Sequence, residues 1–132
     1  MLNVLYVEDD GNSRNVVRMV QRMNPGVFEA TIFDDSQDFE ARLLELHLQP
    51  DLILLDIHMK PYTGFEMLEI IRKHRDYNKI PVVALTASVM NEEIQLLQDA
   101  SFHSVLSKPL NMDEFPTFIE RIMAGEHIWH VW

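Results

Sequence analysis

No cysteine occurs among the 132 residues. That excludes a disulfide framework, a thiolate metal site and a cysteine nucleophile, and it fits a reducing compartment. No apolar run approaches the roughly 18 residues that a membrane-crossing helix needs. No basic leader precedes the first apolar stretch, so neither membrane association nor a signal peptide is expected. Glycine occurs only four times. There is no glycine-rich phosphate loop and no serine elbow. Positive charge is also scarce: 11 Lys and Arg stand against 21 Asp and Glu, for a net charge of -10. Direct nucleic-acid binding, which depends on attraction to Lys and Arg, is disfavoured. The one basic cluster, Arg72-Lys73-His74-Arg75, reads as a solvated helix end, where positive charge suits the dipole. Repeats, linkers and low-complexity segments are absent, and 47% hydrophobic residues are enough for one domain's core.

What is present is more specific. Three strand-like apolar runs each end in charge. Residues 2–7 end in Glu8-Asp9-Asp10, residues 52–55 end in Asp56, and residues 105–107 end in Lys108-Pro109. Strands and helices alternate along the whole chain. Strands are expected at 3–7, 28–33, 51–55, 81–85 and 104–106. Helices are expected at 13–22, 36–46, 64–73, 92–100 and 112–123. Leu52-Ile53-Leu54-Leu55 is apolar on both faces, as an interior parallel strand requires. In the last helix Phe115, Phe118, Ile119, Ile122 and Met123 follow helical spacing, with Asn111 and Glu114 as cap and partner. Pro116 at its fifth position predicts a tight or bent first turn. Five βα units of this length predict a doubly wound α/β sheet with helices on both faces. Such sheets bind ligands beyond the carboxyl ends of their strands, where all the marked residues fall.

These residues suit a divalent cation and a phosphoryl group. Crowded carboxylates repel one another, so a cation is a natural partner. Glu8 and Asp9 are neighbours with diverging side chains. One can bind a cation directly and the other through water, as Mg2+ prefers, with Mn2+ as a substitute. Asp10 reads instead as the start of the first helix. Asp56, rigidly held at a strand end, is the simplest nucleophile toward phosphorus. Lys108 can pair with Asp56 and with oxygens added to it. Thr86 can donate a hydroxyl to a phosphoryl oxygen beside the small Ala87.

The motifs Val4-Leu5-Tyr6-Val7-Glu8-Asp9-Asp10, Leu54-Leu55-Asp56-Ile57-His58-Met59 with Gly64, Pro81-Val82-Val83-Ala84-Leu85-Thr86-Ala87 and Ser107-Lys108-Pro109 occur in this order. Together they resemble the receiver domain of bacterial two-component response regulators, over nearly the whole chain. The resemblance implies a flavodoxin-like five-stranded sheet of order 2-1-3-4-5 with five helices, and a cytoplasmic protein of the CheY-like type. It implies Asp56 as phospho-acceptor, supplied by a sensor histidine kinase or a histidine phosphotransfer protein. It implies Mg2+ held by Glu8, Asp9, Asp56 and the backbone carbonyl of His58, with Asp9 the closer of the acidic pair. Thr86 matches the switch hydroxyl, and Lys108 matches the lysine, usually followed by a cis proline. Thr86, Ala87 and Lys108 would contact the phosphoryl group. Activity would extend to Mg-dependent self-phosphorylation and autodephosphorylation, short of an ordinary enzyme.

The sequence departs from the family pattern at several places. The aromatic switch residue is Val105 here, and a valine cannot rotate inward as an aromatic ring does. The glycine after the fourth helix is Ser101, followed by Phe102 and His103. The proline after the acceptor falls one place later, at Pro61, behind Lys60. His58 and Ser88 occupy positions that tune phosphate loss. The receiver is expected over 1–123 and a C-terminal tail over 124–132, as in a single-domain regulator working through a downstream protein partner. Trp129 or Trp132 is expected to pack back on the fold, with a partner or homodimer contact as the alternative. His127 and His130 are too sparse for a metal site. Phe102, Val105 and Phe115 are candidates for the family's output and dimerisation face on the last two helices and fifth strand, with some of them expected in the core. A phosphorylation-independent adaptor is the competing function, favoured by Val105. A small-molecule phosphotransferase is disfavoured because no cap or pocket-forming insertion is present.

Overall fold

The computed structural model describes residues 1–87 and 90–129. Five strands form one parallel sheet: β1 (Leu2–Val7), β2 (Phe28–Phe33), β3 (Leu52–Asp56), β4 (Val82–Thr86) and β5 (Ser104–Ser107). Their order is β2-β1-β3-β4-β5, as the resemblance implied. The helices are α1 (Gly11–Met23), α2 (Phe39–Leu44), α3 (Gly64–Lys73), α4 (Asn91–Asp99) and α5 (Phe115–Met123).

Strand periodicity divides the core into two layers. Leu5, Val7, Ile53, Leu55, Val82, Ala84 and Val105 pack with α2, α3 and Leu97 of α4 on one face. Val4, Tyr6, Leu52, Leu54, Val83, Leu85 and Leu106 pack with α1 and α5 on the other. β3 and β4 are buried at every residue, which explains their unbroken apolar runs.

Two helices start later than the sequence suggests, for local reasons. Asp38 takes a left-handed conformation (φ 51°), so α2 begins at Phe39 rather than at residue 36. Ser36 is then free for another task. Its buried hydroxyl donates to the Tyr62 carbonyl at 2.8 Å and accepts the Tyr62 N–H at 2.8 Å, joining two loops. Before α5, Asn111 does cap the chain, accepting the N–H groups of Asp113 and Glu114 at 2.9 and 3.1 Å. What it caps is a turn, and the helix proper starts at Phe115. Pro116 therefore lies in the first helical turn, where its missing N–H costs nothing and no bend is needed. Met123 is 38% exposed, outside the core stripe expected of it.

The proposed output-face residues also differ from expectation. Phe102, Val105 and Phe115 are all buried, at 3%, 0% and 0% exposure, so they belong to the core and not to a surface. Trp129 packs against the layer that contains Val105, the bland outcome for one of the two tryptophans. Ser88, His130 and Trp132 lie outside the described residues.

Candidate functional site: an acidic pocket closed by one lysine

Register brings β1, β3, β4 and β5 to a common carboxyl edge. Val7 pairs with Leu55, Asp56 with Leu85 and Thr86 with Ser107. Asp56 is the last residue of β3 and is 3% exposed. Strands on both sides fix its backbone. Its Oδ1 accepts the His58 N–H at 3.1 Å, and its Oδ2 accepts from Lys108 Nζ at 3.4 Å. Lys108 Nζ also donates to Glu8 Oε2 at 3.0 Å. The Lys108 N–H donates to the Thr86 carbonyl at 2.9 Å, which ties the lysine to the end of β4. The Lys108-Pro109 bond is cis, and so is Lys60-Pro61. Thr86 is fully buried, and Ala87 beside it is exposed. Ala87, Lys108 and Ser13 help to line a cleft of about 290 Å³.

Glu8 is the most enclosed acid, at 0% exposure. Its Oε1 accepts from Tyr6 Oη at 3.1 Å, and its Oε2 accepts the Asp10 N–H at 3.3 Å. Arg14 donates to its carbonyl at 3.0 Å. Neither Tyr6 nor Arg14 was singled out in the sequence. Period-two alternation was the available signal for Tyr6, because it places residues 6 and 8 on one face of the chain. Asp9 is exposed at the rim. Asp10 serves as the N-cap of α1, accepting from the Asn12 and Ser13 N–H groups and, at 2.7 Å, from Ser13 Oγ. Val105 stands apart from this pocket, in the core below.

Gly64 holds the next helix against the site. A Cβ there would lie 2.8 Å from Ile57 Cδ1, 2.9 Å from Ile57 Cα and 3.0 Å from the Asp56 carbonyl oxygen. Only glycine lets α3 start directly against the backbone that follows Asp56. Thr63 and Glu66 close that helix start with a reciprocal capping box.

The electrostatics show what the pocket lacks. Two buried carboxyl groups share one ammonium. Burial pushes Glu8 up to about 7, reinforced by its hydrogen bond and charge interaction with Asp56 and opposed by Lys108. For Asp56, burial opposes ionisation, but the contact with Glu8, the Lys108 charge and the His58 N–H outweigh it and hold the carboxyl below its ordinary range. Burial likewise opposes the charge on Lys108, and the two acids raise its pKa nevertheless. The Tyr6 hydroxyl is pushed up by burial and then by Glu8. Crowding and burial thus act in opposite senses on the two acids, raising Glu8 and holding Asp56 low.

Glu8, Asp9 and Asp56 each offer a carboxylate oxygen within 4.8 Å of the others. Hard oxygen donors, two buried and one at the open rim, fit a divalent cation that keeps part of its water shell. A bound cation would add positive charge beside these acids and favour their ionised forms. His58 contributes its N–H to Asp56, and its side chain is exposed.

A family model for the response regulator receiver domain matches residues 4–120. The chain is 29% identical over 124 residues to the probable transcriptional regulator ycf29 of Cyanophora paradoxa, covering 93% of this chain and 57% of that protein. Chemotaxis response regulator CheY4 of Vibrio cholerae superposes with a TM-score of 0.81 at 24% identity, covering 92% of this chain and 98% of that one. The Mn(2+)-bound form of response regulator Rcp1 superposes with a TM-score of 0.75 at 25% identity, covering 95% and 94%. With an acidic cluster consistent with a phospho-accepting site at the carboxyl edge of a 2-1-3-4-5 sheet, this chain belongs to the response regulator receiver domain family.

Proposed function

We propose that this protein takes a phosphoryl group on Asp56 from the phosphohistidine of a sensor kinase or phosphotransfer protein, and signals through changed protein contacts. The observation that carries this reading is the Lys108 ammonium reaching both Asp56 and Glu8 beside the Asp9 carboxylate. In the step, an Asp56 carboxylate oxygen bonds to phosphorus as the phosphorus–nitrogen bond to the donor imidazole breaks. The electron pair stays on the leaving imidazole nitrogen. Asp56 is suited to attack because its surroundings keep it ionised.

Asp9, Asp56 and the His58 carbonyl would hold Mg2+, with Glu8 acting through water; Mn2+, which the related Rcp1 binds, would substitute. When bound, the metal supplies positive charge to the transferring phosphoryl oxygens. Lys108 turns to an oxygen added to Asp56. The Thr86 hydroxyl and the space beside Ala87 receive another. Residues 1–123 act as the receiver, and residues 124–132 are appended to it. No helix among the described residues is long and apolar enough to cross a membrane.

The test is incubation with Mg2+ and acetyl phosphate, followed by mass spectrometry. We expect one phosphoryl mass gain, stable in acid and labile in base, that vanishes in Asp56→Asn. A fully folded protein that gains no mass would sink the reading. Val105 favours one competitor, a phosphorylation-independent adaptor. It is a fully buried, β-branched core residue with no ring to swing. A mass gain that leaves partner affinity and oligomeric state unchanged would favour that adaptor.

A further inference from the structure

β5 is one of the two edge strands of the sheet, and an open edge invites pairing. Here the chain covers it with its own residues 126–129. The Val105 N–H donates to the Ile128 carbonyl at 2.8 Å, and the Ile128 N–H donates to Ser104 Oγ at 2.9 Å. Ile128 is 3% exposed, and Trp129 packs on the core layer that holds Val105, Leu97 and Phe102. The rings of His103 and His127 stack, with centroids 4.0 Å apart and planes 24° from parallel.

The hydrogen bonds assign the protons. His127 Nδ1 lies 2.9 Å from the His103 carbonyl, which only accepts, so His127 carries a proton on Nδ1. Ser104 is fully buried and has one hydroxyl proton. Its oxygen already accepts from Ile128. The arrangement that satisfies this proton sends it to His103 Nδ1, 3.0 Å away, with His103 neutral and protonated on Nε2. A second proton on His103 would reverse that bond. Nδ1 would become a donor, and the buried Ser104 hydroxyl would lose its acceptor. The same proton would set a cation against the His127 ring.

Among the described residues, the titratable and charged groups acting on His103 are the His127 ring from the appended segment and Arg72 from α3, and neither is a carboxylate. Arg72 is itself anchored to the carbonyls of Asn78 and Ile80. Glu126, the nearest acid in the segment's sequence, is taken up by Arg121 of α5. We propose that residues 126–129 form a proton-operated latch on the β5 edge, docked while His103 is neutral and released when it takes a second proton.

Burial, then His127, then Arg72 lower the His103 pKa in the docked state. Docking is therefore strongest above the ordinary histidine range and weakens as pH falls through it, about 6.5. This latch does not depend on phosphorylation of Asp56.

The experiment uses the full chain with Trp132→Phe, so that Trp129 is the single indole. Acrylamide quenching is followed between about pH 8 and pH 5.5, with far-UV circular dichroism as a check on the fold. We expect quenching to rise severalfold on acidification with an unchanged fold. In His103→Asn the amide oxygen takes the place of Nδ1 and accepts the Ser104 proton at every pH, and quenching stays low and flat. Flat quenching in the parent overturns the latch, and so does an unaltered transition in His103→Asn. If His103→Asn fails to dock at any pH, the parent's NMR titration decides. The His103 ring must titrate at the midpoint of the Trp129 change, and separate midpoints overturn the proposal.

Discussion

The acidic pocket and the outer edge of β5 lie a few residues apart along one strand, yet they follow different rules. In the pocket the polar groups are paired through their neighbours: Lys108 with Glu8 and Asp56, and Glu8 with the Tyr6 hydroxyl. Replacing one member strands another in a buried place, so the identity of each is tightly constrained. At the β5 edge the requirement is only that apolar area and backbone donors be covered. There residues 126–129 supply the cover, through Ile128 on Val105 and Ser104. Charge chemistry fixes identities, whereas packing fixes only shape and volume.

The sharpest way to break this contrast is Lys108→Met. Removing the ammonium leaves two buried acids uncompensated, and we expect a loss of about 3 kcal/mol at pH 8 in urea unfolding. The loss should shrink near pH 6, where Glu8 can stay protonated. A loss below about 0.5 kcal/mol would mean that the pocket is far more open to water than its burial implies.

The second test is pH itself. Glu8 sits at about 7 in the folded metal-free protein against 4.5 ordinarily. The folded state then binds more protons than the unfolded chain between these values. Stability should fall as pH rises from about 4.5 through 7, by up to about 3 kcal/mol, and level off above. Saturating Mg2+ should flatten this slope, and chelation should restore it. A stability that rises over the same window would contradict the placement of the proton on Glu8.

At the edge the expected effects are smaller. Ser104→Ala removes the acceptor of the Ile128 N–H and the partner of His103. It should cost about 1–2 kcal/mol and increase Trp129 quenching at neutral pH. Ser101 ends the α4 region with φ 72°, a conformation glycine adopts without penalty. Ser101→Gly should therefore stabilise by about 0.5–1 kcal/mol in thermal unfolding, without altering phosphoryl uptake. If the edge variants changed phosphorylation as strongly as Lys108→Met changes stability, the two regions would be one unit.

Much of the pocket was legible beforehand because apolar runs ending in charge locate strand tips, and a parallel sheet brings tips together. Asp56, Glu8, Asp9 and Lys108 were found in this way. Tyr6 and Ser36 were missed because their work is done by one hydroxyl reaching a partner that sequence distance conceals. The starts of α2 and α5 were misplaced because a left-handed Asp38 and an Asn111-capped turn leave only weak marks in a periodic pattern.

Sequence alone settled the alternation of strands and helices and the kinds of group gathered at one edge, since both follow from local periodicity and from chain order in a parallel sheet. Only the folded chain decided that burial raises the Glu8 carboxyl while its neighbours hold Asp56 low. Only the folded chain laid Ile128 along β5 and set His103 against His127. Those outcomes depend on burial and on distances between residues far apart in sequence, which no local pattern encodes.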